Sequence, residues 1–271
     1  MSITRHFTQS GELIRMLIWK NMALRYKQSL LGILWVVLKP LLLMVVFTMI
    51  RSIIGFQTGA VPYAVLVFAA LTMWTFFQES ATEGAFSVVG NAQLIRKIYF
   101  PREIFPLVSV LTKLASFGIN FVLLLALMAW FDLVPGLQAL WCLPLLLYAF
   151  IFSLSVALSA GALNVYFRDV GQAMPVLLTV MMYASPILYP MQLVREKLLI
   201  NGAGGEHAEL FFTLYSLNPM AGLIDGLQRA LLLNQAPDPA VTWPGLLFLA
   251  VIAPVSYLLF KRAETHFTDV I

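Results

Sequence analysis

The chain has 271 residues, 61% of them apolar and 11% charged, with a mean hydropathy of +0.87 and a formal net charge of +4. A soluble domain carries roughly a quarter charged residues, so this composition excludes that class and points to an integral membrane protein. Unbroken apolar runs exclude an outer-membrane barrel, whose strands alternate over segments of about ten residues. The positive charge sits at the ends of those runs, as membrane topology requires, which excludes a nucleic-acid patch.

In chain order, residues 10–27 are too charged to span. Leu13, Leu17 and Met22, with Ile14 and Ile18 beside them, share a face at helical spacing, while Arg15, Lys20, Arg25 and Lys27 take the remainder. This pattern predicts an amphipathic helix lying in the membrane interface, with Trp19 at headgroup depth. The first span is expected over 34–54, with Pro40 bending it or marking its true start. A second, short span covers 63–77, and Glu79 and Glu83 follow at i, i+4 on one helical face. Residues 85–103 form the longest polar interruption of the first half, and Arg96, Lys97 and Arg102 lie within it.

A long third span covers 104–131 and contains Lys113 and Asn120; the Asp132–Gly136 turn leads to a fourth over 140–165. Ser153, Ala157 and Gly161 recur there every fourth residue, a stripe of small side chains that allows close helix approach. The fifth span, 173–188, contains Pro175 and closes at Pro186 and Pro190. Residues 191–242 are more polar, with glycines at 202, 204 and 205, and their short apolar stretches fit re-entrant or outer-surface helices. A sixth span covers 243–260. The expected class is an all-α integral membrane fold with six transmembrane helices in one domain. Twelve of the seventeen Lys and Arg fall on the segments that share a side with both termini, four on the other side, and Lys113 within a span. The positive-inside rule then places both termini in the cytoplasm. The first ten residues hold no signal-peptide core, so insertion is expected to use the internal spans.

No P-loop, GxSxG or HExxH pattern is present, the three histidines are scattered, and Cys142 is the only cysteine. The chain is therefore expected to hold no nucleotide, metal or cofactor and to perform no catalysis itself. Lys113 costs a few kcal/mol if buried alone, so Glu79 or Glu83 is its natural partner, either as a switch pair or beside a snorkelling lysine. Aromatic rings such as Phe47, Trp74 and Tyr183 suit the stacking faces of sugars, and with Lys113 they are the candidates for lining a path.

Several segments together resemble the membrane subunits of ABC-2 type polysaccharide exporters, closest in pattern to the O-antigen and teichoic-acid branch. They are Arg25–Ile50, RKIYFPREIFPL at 96–107, NVYFRDV at 164–170, SPILYP at 185–190 and LNPM at 217–220. The resemblance implies a homodimer joined to two copies of an ATPase that binds ATP and Mg, and an undecaprenyl-linked glycan moved across a bacterial inner membrane. It also implies a coupling helix between spans two and three, and gate helices between spans five and six. On this chain the coupling set is Asn91, Gln93, Arg96, Lys97, Phe100, Pro101, Arg102 and Glu103, with Arg168 and Asp169 as a secondary contact. The rival readings are an ABC-2 exporter of small molecules or lipids, a membrane enzyme acting on lipid-linked sugars, and a secondary transporter coupled through Lys113.

Overall fold

The computed structural model describes residues 3–26, 29–55, 61–97, 100–200 and 205–270, without the side chains of residues 3–10, 13, 24–26, 200, 268 and 269. The readings on Leu13, Arg25, Lys27, Gly202 and Gly204 lie outside it. All regular structure among the described residues is helical. Five helical segments are long and apolar enough to cross a membrane. They are α2 (Leu34–Ile54), α3 (Tyr63–Ser87), α5 (Ile104–Trp130), α6 (Cys142–Tyr166, led in by a 3-10 turn at Leu137–Trp141) and α11 (Pro239–Glu264).

The helix α3 is the centre of the bundle. Most of its residues, on every side, are buried, and α2, α5, α6, α7 (Asp169–Tyr183) and α10 (Pro219–Leu232) pack around it. Small residues set how close they come. A Cβ placed on Gly84 would lie 2.3 Å from the Cβ of Ala157, and one on Gly161 would lie 2.9 Å from the Gly84 carbonyl oxygen. The Ser153–Gly161 stripe is thus the seam between α3 and α6. Above it, Phe77 stacks on Phe152 at 4.8 Å between centroids.

Several boundaries differ from the sequence reading. The helix of the second span carries Glu79 and Glu83, as their shared face implied, and runs unbroken past them to Ser87, with Lys113 facing both carboxylates. Residues 85–87, assigned above to the polar loop, belong to it. Pro40 is not a helix start but lies inside α2. The helix expected over 173–188 lies earlier in the chain: α7 begins at Asp169, contains Pro175 and ends at Tyr183. At 1.5 Å per residue its fifteen residues reach about 22 Å, short of a hydrocarbon layer of about 30 Å.

The region after α7 folds into α8 (Met191–Arg195), α9 (Ala208–Ser216) and α10. Asn218 and Asp238 each cap the next helix by accepting from the N–H two residues on, Met220 and Ala240, and each is followed by proline at the first helical position. Those two Asx-Pro caps fix where α10 and α11 begin. At the opposite end, α1 (Ile3–Tyr26) buries Leu17 in a second apolar cluster with Val88, Ile95, Ile104, Phe105 and Phe260. This end also holds Arg96, Lys97, Arg102, Arg168 and Lys261 and is called the basic end; α8–α10 lie at the far end.

Candidate functional site

Between α3 and α5 at the basic end lies a 3-10 turn at Val89–Asn91 followed by a short helix, α4 (Ala92–Lys97). Two contacts hold it. Ile95 points into the apolar cluster, and the Asn91 amide donates to the Ser87 carbonyl at 2.8 Å. With Ile95 facing inward, Gln93, Arg96 and Lys97 are exposed. Pro101 is exposed as well, while Phe100 turns back to meet Phe105 edge-on at 5.2 Å. The second loop at this end leaves Arg168 and Asp169 exposed. It adjoins the first, since Phe86 from the last turn of α3 lies against Gly171. The result is an exposed basic face held to the bundle by Ile95 and Asn91, able to bind an acidic or polar surface.

Arg102 and Glu103, of the coupling set, stand at the entry to α5. Glu103 forms an ion pair: Lys261 Nζ lies 2.9 Å from both its carboxylate oxygens. Arg102 donates to the Glu264 carbonyl and lies 5.9 Å from the Phe267 ring centroid. The anchor is therefore the last turn of α11, 158 residues away in sequence. Nothing in the sequence singles out Lys261 and Glu264 for this role.

Asn164 was missed. Buried at the end of α6, it donates to the Ala85 carbonyl of α3 and accepts from the Gly171 amide of α7, both at 2.9 Å. One side chain fastens three helices just above the exposed loops. Asn164→Ala leaves a buried carbonyl and a buried N–H unpaired, each worth about 1–3 kcal/mol. The purified variant is expected to show a lower midpoint in thermal unfolding, and Asn164→Asp to recover only the contact to Gly171.

Lys113, 2% exposed, stands about 14 Å into α5 from its start. Its ammonium pairs with Glu83 and lies 3.6 Å from Glu79. The structure thus gives it both carboxylates where the sequence allowed either. Beside them is a cavity of about 10 Å³, room for one water, lined also by Lys39, Asn120 and Phe117. The four path candidates differ in burial. Trp74 is fully buried, Phe47 and Lys113 are buried, and Tyr183 is 55% exposed on α7. Trp74 has no open surface within the chain and donates instead to Gln78 Oε1 at 3.0 Å.

At the far end, α10 buries Asp225, 5% exposed, with its Oδ2 unpartnered. Burial pushes its carboxyl up to about 6, against the opposing pull of Arg229. Nothing in the sequence distinguishes this aspartate. Between α6, α7 and α11 opens an almost wholly apolar cavity of about 670 Å³, with Asn218 and Ser256 among its few polar edges.

A family model described as ABC-2 type transporter matches residues 12–203 of this sequence. An O-antigen export system permease protein of Klebsiella pneumoniae is 30% identical over 206 residues, covering 76% of this chain and 74% of the relative. A protein of the same description from Myxococcus xanthus is 28% identical over 270 residues, covering 98% and 95%. The buried small-residue seam, the apolar helices and the exposed basic loops sit within a match of this extent, and the chain belongs to the ABC-2 type transporter family.

Proposed function

We propose that the chain is the permease subunit of an ATP-driven exporter of a lipid-linked polysaccharide. The observation that supports this best is the similarity, over almost the full length of both chains, to a permease named for O-antigen export. In this reading the chain sits in a bacterial inner membrane with both termini cytoplasmic. Two copies pair with two ATPase subunits, which bind ATP and Mg. The substrate is a glycan on an undecaprenyl carrier. The helix α1 lies in the cytoplasmic interface, and α7 with Ser185–Pro190 makes a sixth crossing. The helices α8–α10 form the outer gate.

The basic end then faces the ATPase. The helix α4 enters a cleft of that subunit through Gln93, Arg96 and Lys97, and Arg168 and Asp169 make the secondary contact. Approach of the two ATPases shifts the population between two arrangements of the helices, by as much as their contacts differ between the two. A path for the glycan forms where exposed faces of two copies meet, with Tyr183 of α7 on such a face. A cysteine in place of Gln93 is expected to cross-link to the ATPase in at least one nucleotide state. Absence of a cross-link in every state would remove α4 from the contact. Export of glycan by cells that carry this permease and its ATPase as their only exporter tests the substrate class.

A further inference from the structure

The last turn of α11 is where both loops of the basic end are fastened. Lys261 holds Glu103 with two contacts of 2.9 Å and Glu264 with one of 3.0 Å. Arg102 donates to the Glu264 carbonyl. At the start of the other loop, the hydroxyl of Tyr166, the last residue of α6, donates to the Ala263 carbonyl at 2.8 Å. Taken singly, exposed ion pairs contribute little, but here Arg102, Glu103 and Tyr166, from two segments, converge on one helical turn.

The other end of the same helix is fastened just as closely. A Cβ on Gly245 would lie 3.0 Å from the Pro219 Cα, and one on Gly222 would lie 2.9 Å from the Thr242 Cα. Backbone therefore packs on backbone between α10 and α11. Asp238 at the start of α11 also pairs with Arg195 of α8 at 2.9 Å. Between these ends runs one helix of 26 residues, about 39 Å long.

We propose that α11 is the rod that carries displacement of the docking turn to the far-end helices, and that Lys261 is the positioning residue that couples the turn to it. The proposal rests on the reading of the basic end as the ATPase-facing side. Energetic coupling needs an element with both sites attached, and α11 has both. Lys261 acts through the turn it holds, by its contacts to Glu103 and Glu264. Reversal of its charge therefore separates hydrolysis from export.

The test uses the full permease–ATPase complex in membranes, in a Cys142→Ala background carrying Thr242→Cys as a reporter of the α10–α11 contact. With Lys261 in place, ATP is expected to change the rate of thiol labelling at position 242. In Lys261→Glu the ATPase still co-purifies and hydrolyses ATP. Export per ATP falls about tenfold, within the usual range of coupling between two sites, and the ATP effect on labelling disappears. The swap Glu103→Lys/Lys261→Glu restores both. Four results overturn the proposal: full export by Lys261→Glu at normal abundance, loss of the ATPase from that variant, failure of a normally abundant swap to restore export, or labelling that never responds to ATP. A parent complex that retains no ATPase at all refutes the docking reading itself, which is a separate failure.

Discussion

Gly84→Leu is expected to abolish accumulation of the protein in the membrane. The first atom of any side chain at 84 would lie 2.3 Å from the Ala157 Cβ and 2.8 Å from its Cα. The second distance involves backbone, so no rotamer change relieves it, and α3 must move away from α6. That seam is flanked by the stacked Phe77–Phe152 pair and by Asn164 bonded to Ala85, and separation disturbs both. Overpacking of a tight core costs about 1–3 kcal/mol where neighbours can adjust. Against backbone the cost lies at or above the top of that range. Gly84→Ala should already lower abundance and unfolding midpoint, and Gly161→Leu should resemble Gly84→Leu. Gly118→Leu, at a glycine with nothing within 4 Å of an added Cβ, is the control and should be tolerated. Normal levels of Gly84→Leu would show that the seam is looser than these distances.

The second large effect is expected at Lys113. Its replacement by methionine keeps most of the volume but leaves Glu79 and Glu83 side by side without the ammonium. Removal of one partner from a buried ion pair typically costs about 3–5 kcal/mol. The effect here is reduced because both carboxylates are partly exposed, at 26% and 34%. The single variant should fall in stability. The triple change Glu79→Gln/Glu83→Gln/Lys113→Met should recover most of it, since an apolar or neutral replacement of the whole cluster avoids the stranded charge. Transport by the triple variant then separates two roles. Recovered stability without recovered transport makes the cluster a switch between α3 and α5; recovery of both makes it structural.

Much of the architecture was legible because apolar runs of spanning length mark helices with little ambiguity. Pairings across distance were harder to read. The cost of burying Lys113 alone pointed to Glu79 or Glu83 as its partner, but local sequence does not display that both face it. The same blindness hid Lys261: a lysine after an apolar helix reads as a topology marker, and only the fold brings Glu103 to it. For α7, the prolines at 186 and 190 drew the span too far along the chain, and Asp169 concealed its start because an acidic residue suits the first turn of a helix as well as a loop. The stripe of Ser153, Ala157 and Gly161 announced a close neighbour, although not which one. Asp225 carried no local sign at all, since its burial depends on helices that precede and follow it.

The central place of α3 bears on how the protein is made. It is the least apolar of the five long helices and the most enclosed, so lipid is a poor substitute for the neighbours that finally cover it. Synthesis delivers it second, while α5, α6 and α10 emerge afterwards. During that interval its Thr72, Gln78 and Ser80 have no protein shell, and the insertion machinery or a transient contact with α2 must shelter them. Assembly is thus closed by the late segments. The short helix α10, with Gln228 donating to the Leu66 carbonyl of α3 at 3.1 Å, is the piece that locks the early half of the chain in place.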